Sequence, residues 1–182
     1  MPEYTSADIR NITLIGHAGS GKTSIAEVLL KNAGTIHQVG LVENGTTVSD
    51  FTDEEKERGH SIFNSVLHCH YRDTCINMID TPGYADFAGQ SLGALPAIET
   101  AFVVINASTG IESNTRRVMQ RAAEYNLCRI IVINRMDVDN LDLPGLVSQI
   151  QEEFGRACLP INLPTGGGNA VVDVFNKTEG EV

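Results

Sequence analysis

The sequence predicts an α/β domain of three layers with a mostly parallel sheet, and three features of the chain support this. Short runs of β-branched and aliphatic residues alternate with stretches of helical length, as in successive strand–helix–strand units. A glycine-rich loop separates the first strand-like run from the first helix-like stretch. The length of 182 residues and the hydrophobic content of 42% are enough for one buried core. We therefore expect a single domain.

The first half of the chain contains three predicted strands and one helix. The strand at 11–15 is rich in β-branched residues and ends at a glycine, and 24–31 favours a helix. Only two residues separate the strands at 62–71 and 74–80, which favours an antiparallel hairpin and hence one antiparallel edge strand. The polar segment 35–59 is too long for an ordinary connection, so we expect it to be functional or mobile.

The second half alternates between strands and helices. Apolar runs predict buried strands at 101–106 and 129–134, and helical periodicity predicts helices at 112–125 and 143–156. Strands joined by such crossovers lie parallel in one sheet. After Leu159, prolines, a run of three glycines and a short apolar burst change the composition. Because the sequence stops soon after this burst without a closing helix, we expect it to be part of a longer protein.

Charge and cysteine content restrict the class of protein. The chain has 13 Lys and Arg against 23 Asp and Glu, a formal net charge of −10. Such a field repels DNA and membrane surfaces, so we expect neither as a partner, and contact with RNA would need a local basic patch. No apolar run approaches the roughly 18 residues of a spanning helix, and no export signal opens the chain. The four cysteines form no Cys-x-x-Cys pair, so we expect a cytoplasmic protein.

A phosphate-binding motif occupies the glycine-rich loop. The stretch from Gly16 to Thr23 matches G-x-x-x-x-G-K-[ST] between a predicted strand and a predicted helix. Its glycines allow N–H groups to point at a diphosphate, Lys22 adds charge at the β and γ oxygens, and the Thr23 hydroxyl can hold Mg²⁺. A chance glycine-rich turn is the alternative. The predicted phosphate-binding residues are Gly16, His17, Ala18, Gly19, Ser20, Gly21, Lys22, Thr23 and Ser24.

Two further polar motifs follow predicted strands. Asp80 precedes Thr-Pro-Gly at a strand end, where a carboxylate can face a metal ion, although a simple Pro-Gly turn explains the motif equally well. Asn134 and Asp137 follow a later strand. A carboxylate at Asp137 accepts from the two N–H donors of guanine and rejects adenine, whereas its alternative role is a helix N-cap. With the phosphate loop, these motifs predict a guanine-nucleotide site.

These motifs give the chain a resemblance to the GTP-binding domain of translational GTPases, most closely elongation factor G and its paralogues. The phosphate loop is similar to G-H-x-x-x-G-K-T. Asp50-Phe51 with 57–62 resembles the first switch, D-[WF] followed by E-R-G-I-T-I. The segment 80–87 resembles the second switch, D-T-P-G-H-x-D-F, and 134–137 resembles N-K-M-D. The resemblance extends from about Ile9 to about Phe175.

The resemblance implies a Ras-like G domain of the P-loop NTPase class, a monomer that binds GTP or GDP with Mg²⁺ and acts on ribosomal RNA and proteins. It implies that 1–158 is the core of this domain and that 159–182 begins an insert typical of elongation factor G. The last strand and helix of the domain would then lie beyond Val182. The roles it assigns are catalysis for Lys22, Gly83 and Tyr84, metal binding for Thr23, Ser61 and Asp80, and nucleotide binding for Asp80, Gly83, Asn134, Arg135 and Asp137 in addition to the phosphate loop.

Three of these residues depart from the family pattern. Tyr84 replaces a histidine that positions the attacking water, and a phenol of pKa about 10 cannot act as an imidazole does near pH 7. Two hypotheses follow: a slow GTPase that a partner accelerates, or a GTP-gated binding module with little hydrolysis. Ser61 replaces a threonine and keeps its hydroxyl, and Arg135 replaces a lysine and keeps its charge. These changes point to the paralogues.

Other features leave alternatives open. His68, Cys69, His70 and Cys75 on the predicted hairpin could be drawn as a zinc site, although such a face often carries these residues without a ligand. The arginines of the 112–125 helix are typical of solvent exposure, although they also fit a partner surface. A phosphate loop by itself also permits ATP, which is a third hypothesis.

Overall fold

The computed structural model describes residues 4–165 and 170–175, which form a central five-stranded sheet, helices on both of its faces and a separate hairpin. The strands of the sheet are β1 (Ile9–Gly16), β2 (Ser65–Tyr71), β3 (Thr74–Asp80), β4 (Thr100–Asn106) and β5 (Cys128–Asn134). The helices are α1 (Lys22–Asn32), α2 (Asp53–Arg58), α3 (Ala88–Ala94), α4 (Ser113–Glu124) and α5 (Leu143–Phe154). The hairpin consists of β6 (Asn162–Thr165) and β7 (Ala170–Asp173).

The sheet has the strand order β2-β3-β1-β4-β5. β1 lies parallel to both β3 and β4, and β4 lies parallel to β5. β2 runs antiparallel to β3, with Ser65 opposite Asp80 and Tyr71 opposite Thr74. The predicted α/β class, with a mostly parallel sheet and one antiparallel edge strand, is therefore confirmed.

Hydrophobic side chains are buried on both faces of the sheet. Leu14 packs with Ala26 and Leu30 of α1 on one face. Its neighbour Ile15 packs with Val118 of α4 on the other face. Consecutive strand residues point to opposite faces, so burial of both requires a helix layer on each side. This gives the three layers that the alternating pattern predicts.

Several predicted boundaries are wrong. β2 begins at Ser65 and not at 62, because the backbone N–H groups of Ile62 and Phe63 donate to the Glu55 carboxylate instead of entering a strand ladder. α5 ends at Phe154 and not at 156, because Gly155 has a φ of +105°. The sequence also does not predict α3, whose two glycines weaken the helical signal.

The end of the described chain forms its own small sheet. β6 and β7 pair antiparallel, with Asn162 opposite Asp173. The predicted apolar burst at 171–175 thus contributes to β7, whereas the glycines 166–168 and residues 176–182 lie outside the described residues. Within the described part of the chain, no helix is long and apolar enough to cross a membrane.

Candidate nucleotide-binding site

The predicted site residues meet at one edge of the sheet. β1 pairs directly with β3, and β4 links β1 to β5, with all four strands parallel. The residues that follow the carboxyl ends of β1, β3 and β5 therefore converge at this edge. Thr23 Oγ1 donates to Asp80 Oδ2 at 2.7 Å, and Asn134 Nδ2 donates to Ser20 O at 2.9 Å. The structure thus links the phosphate loop to the ends of β3 and β5.

The phosphate loop requires glycine at Gly21. This residue has a φ of +91°, a conformation that side chains other than glycine rarely adopt. A methyl group there would also overlap Asn134 Nδ2. Gly21 therefore allows both the turn into α1 and the close approach of the Asn134 side chain.

Lys22 is buried within its own loop. Its side chain is only 6% exposed, and Nζ donates to His17 O at 2.9 Å and to Gly16 O at 3.3 Å. Burial lowers the pKa of Lys22 to about 8, although the nearby Asp80 carboxylate opposes this effect. A buried ammonium whose acceptors are two backbone carbonyls favours an anion beside it, as a phosphate would be.

The three residues assigned to the metal lie together. Thr23 Oγ1 is 3.3 Å from Ser61 Oγ as well as bonded to Asp80. Burial raises the pKa of Asp80 to about 6, opposed by the hydrogen bond from Thr23 and the charge of Lys22. Asp80 Oδ1 is buried and accepts no hydrogen bond of ordinary geometry, and the nearby buried Ser49 hydroxyl also has no such partner. One carboxylate with a vacant lone pair and two hydroxyls are hard oxygen ligands, so the cluster fits Mg²⁺.

Asp50 also belongs to this cluster, although the sequence motifs assign it no role. Its side chain is only 2% exposed. Asp50 Oδ1 accepts from Ser61 Oγ at 2.7 Å, and Oδ2 accepts from Thr47 Oγ1 at 2.9 Å. Asp50 therefore orients the Ser61 hydroxyl. In the sequence, Asp50 is marked by its position before Phe51 in the first-switch motif. That motif does not show which groups the Asp50 carboxylate contacts.

Two buried glutamates bind backbone N–H groups in the region 40–63, which contains the first-switch motif. Glu27 of α1 is fully buried and accepts from Gly40 N at 2.7 Å and Val48 N at 2.6 Å. Glu55 of α2 is 1% exposed and accepts at 3.0 Å from each of Ile62 N and Phe63 N. Burial alone would raise the pKa of Glu55, but these bonds and those from Thr52 outweigh it and hold the pKa below the usual value. Glu27 thus anchors the chain before Ser61 to α1, and Glu55 fixes the backbone directly after Ser61 to α2.

We expect Glu55→Gln to destabilise the fold by about 1–3 kcal/mol at pH 7, because one carboxylate oxygen becomes an NH₂ group that faces backbone donors. Since the folded pKa of Glu55 is depressed, its carboxylate stabilises the protein above the unfolded pKa, near 4.5, and this contribution is lost as the pH falls below it. Urea unfolding at pH 7 and pH 3.5 measures both effects. Exposed Glu54→Gln is the control, and an equal loss in both variants contradicts the assignment.

Gly83 packs directly on the phosphate loop. A methyl group at this position would lie 2.5 Å from Lys22 Nζ and 2.6 Å from Ala18 N. The next residue, Tyr84, is 46% exposed, and its ring centroid lies 4.5 Å from that of His60. Gly83 therefore lies against the phosphate loop, whereas Tyr84 lies at the contact between the two predicted switches.

The residues assigned to the base differ in how they are held. Asn134 is fixed by its bond to the phosphate loop. Arg135 and Asp137 are exposed in the turn after β5, and Arg135 has a φ of +59°. No described residue donates a hydrogen bond to the Asp137 carboxylate, so the carboxylate oxygens are available to a base.

The other candidate groups contact neighbouring side chains in the fold. His17 Nε2 lies 3.4 Å from Glu112 Oε1, and His70 Nδ1 lies 2.9 Å from the Tyr4 hydroxyl. Arg121 pairs with Glu124 at 2.6 Å. Among the described residues, no group of three His, Cys, Asp or Glu side chains is arranged to hold a metal ion, and the hairpin histidines are no exception.

A mostly parallel sheet with a glycine-rich loop, a buried lysine and a buried aspartate at its carboxyl edge defines a P-loop nucleotide-binding domain. Residues 7–179 match the family described as the elongation factor Tu GTP binding domain, and the chain belongs to this family. This family assignment confirms the resemblance to translational GTPases.

The chain is similar to proteins from several organisms. It is 33% identical over 175 residues to the mitochondrial ribosome-releasing factor 2 of Culex quinquefasciatus, with 94% of this chain and 23% of that protein covered. It is 36% identical over 169 residues to elongation factor G 2 of Streptomyces coelicolor, with 91% and 25% covered. A crystal structure of a Thermus thermophilus protein, 36% identical, matches with a TM-score of 0.87 and 93% and 26% covered. The chain thus spans about a quarter of the length of these relatives.

Proposed function

We propose that this chain is the GTP-binding and GTP-hydrolysing part of a ribosome-associated translation factor of the elongation factor G type. The single observation that carries this proposal is the cluster of Lys22, Thr23, Ser61 and Asp80, in which a buried ammonium and a buried carboxylate meet two hydroxyls. Its chemistry suits a phosphate chain with Mg²⁺. The family match and the similarity to elongation factor G 2 support the choice of guanine and of translation.

Each residue has a distinct task in this proposal. Lys22 and the loop N–H groups bind the phosphates, and the Gly83 N–H contacts the γ-phosphate. Thr23, Ser61 and Asp80 hold Mg²⁺, which neutralises charge that develops on the phosphate oxygens. Loss of the γ-phosphate would release the contacts at Gly83 and Ser61, and both switch segments would relax.

In this proposal, the turn after β5 recognises guanine. Asp137 accepts from the base, and Asn134 joins this turn to the phosphate loop through Ser20 O. Arg135 lies between them in the turn. Adenine presents a different donor and acceptor pattern, so the arrangement favours GTP over ATP.

A second candidate function is a GTP-gated ribosome-binding module with little hydrolysis. The observation in its favour is Tyr84, a phenol that lies half exposed beside His60 where the family has a histidine. A phenol stays protonated near pH 7 and does not accept a proton there as an imidazole does. In this form, bound GTP would control docking and not turnover.

Tyr84→His separates the two functions. If the protein is a binding module, we expect ribosome-stimulated GTP turnover to rise at least about 100-fold, the usual contribution of a positioned acid–base group. If Tyr84 already supports hydrolysis, turnover stays within about threefold. Phe87→Leu, a change at another ring near His60, is the control, since it leaves position 84 intact.

The test of the proposed function is GTP turnover by the natural full-length chain, with and without intact ribosomes, and with ATP as the control nucleotide. Strong stimulation by ribosomes supports a translational GTPase. Firm GTP binding without stimulation supports the binding module, and ATP turnover equal to that of GTP contradicts both.

The domain boundaries, the oligomeric state, the cellular location and the partner are also part of the proposal. We propose that residues 1–158 form the core of the nucleotide domain and that 159–182 begin an insert, since β6 and β7 pair with each other in a sheet separate from the main one. A monomer in a reducing cytoplasm is consistent with the four cysteines, which are all free. The ribosome is the proposed partner, and the acidic charge disfavours DNA and membranes.

A further inference from the structure

Asn114 joins three parts of the candidate site that the proposed function leaves separate. It lies in the first turn of α4 and is 7% exposed. Its Nδ2 donates to Gly16 O and to Gly83 O, each at 3.2 Å. One amide group thus uses its two hydrogens to hold the phosphate loop and the second switch together.

The segment before Gly83 has anchors of its own. Thr81 Oγ1 donates to Leu14 O at 2.9 Å, and Ser91 Oγ donates to Pro82 O at 2.6 Å. Tyr84, on the other side, is half exposed. Gly83 is therefore the point at which the second switch passes from an anchored strand end to an exposed segment, and Asn114 holds the carbonyl at that point.

The position of Gly83 leaves no room for a phosphate oxygen between Gly83 and the Lys22 ammonium. A methyl group on Gly83 would lie 2.6 Å from Ala18 N and 2.5 Å from Lys22 Nζ. Because the bond from Cα to Cβ is about 1.5 Å long, Gly83 Cα lies no more than about 4 Å from Lys22 Nζ. A phosphate oxygen between these two atoms needs about 6 Å, since it lies about 2.8 Å from an ammonium nitrogen and about 3.3 Å from a carbon atom. Gly83 must therefore move away from Lys22 before a terminal phosphate can bind between them.

We propose that Asn114 is a positioning residue that sets the preference of this site between guanosine diphosphate and triphosphate. This inference rests on the proposed binding of both nucleotides. The terminal phosphate of GTP requires Gly83 to move, and GDP does not. Because Asn114 also binds Gly16 O beside the loop, movement of Gly83 away from the loop lengthens and breaks the Asn114–Gly83 bond.

The direction of the effect follows from this geometry. The bond to Gly83 is present in the closed arrangement and is lost in the arrangement that admits GTP. The bond therefore lowers the affinity for GTP and leaves the affinity for GDP unchanged. A hydrogen bond of this kind corresponds to a change of about fivefold in an equilibrium constant. Asn114→Ala therefore raises the ratio of GTP affinity to GDP affinity by about fivefold.

The test is equilibrium binding of fluorescent GDP and of a fluorescent non-hydrolysable GTP analogue to the natural full-length chain in Mg²⁺. Asn114→Ala is compared with Ser113→Ala, an exposed change in the same helical turn. A ratio raised in Asn114→Ala alone supports the proposal, and an unchanged or lowered ratio overturns it. If the unsubstituted chain binds neither nucleotide, the proposed function fails instead.

A second measurement does not depend on nucleotide. Hydrogen exchange of the 81–87 backbone in the nucleotide-free protein should be faster in Asn114→Ala than in Ser113→Ala, because the closed arrangement opens more often. Asn114→Asp, which has the same shape but no N–H donors, should show the same increase if Asn114→Ala is too unstable to study. Equal exchange in the variants and the parent contradicts the role of Asn114.

Discussion

A Lys22→Met variant is expected to lose at least about 100-fold in affinity for GTP, because a buried charge-assisted bond to phosphate contributes about 3 kcal/mol or more. The same variant is expected to be more stable than the parent by about 1 kcal/mol in the absence of nucleotide. Methionine has a similar length and avoids the cost of a buried ammonium, which is 6% exposed in the structure. Fluorescent GTP titration and thermal unfolding without nucleotide measure the two effects.

The gain in stability depends on what happens to the carbonyl groups that Lys22 now contacts. Gly16 O keeps its bond from Asn114 Nδ2, and His17 O keeps its bond from Ser20 N. Neither acceptor is left without a donor, so the penalty for an unsatisfied buried group is avoided. Lys31→Met, an exposed change in the last turn of α1, is the control. Unchanged GTP affinity in Lys22→Met would remove the phosphate-binding role of this residue.

Local signals in the sequence were sufficient to predict the strands of the central sheet. β4 is a run of mainly apolar residues without a charge, which is typical of a buried parallel strand, and most of it is buried. The same kind of run predicts a buried strand at 129–134, but none of the residues of β5 is buried, because β5 lies at the edge of the described sheet. The phosphate loop has a fixed glycine spacing whose physical cause is visible at Gly21. Features of this kind depend on neighbouring residues, which is why they could be predicted from the chain alone.

Other parts of the site depend on contacts between distant residues. Glu27 lies on a predicted helix, where a glutamate is usually solvent-exposed, yet it is fully buried because Gly40 N and Val48 N bind its carboxylate. Asn114 likewise lies on a surface-type helix, and its partners are 98 and 31 residues away. No periodicity or motif marks such residues, because their roles arise only when the loops close on the sheet.

An Asp137→Asn variant is expected to prefer xanthine nucleotides, whereas the parent chain is expected to prefer guanine nucleotides. Guanine presents two N–H donors to the Asp137 carboxylate, whereas xanthine has a carbonyl in place of the amino group. An asparagine amide donates to that carbonyl and accepts from the remaining N–H. With guanine, the same amide places one donor against another, so GTP affinity should fall about 100-fold or more.

Competition of GTP, XTP and ATP against a fluorescent guanine nucleotide measures this exchange. Asp137 is exposed, so its substitution changes base recognition with little effect on folding, and thermal unfolding can verify this. Asp139→Asn, an exposed change two residues away, should leave the order of the three nucleotides unaltered. If ATP competes as well as GTP against the parent chain, the site has no preference for guanine, and the role of Asp137 in selecting the base is contradicted.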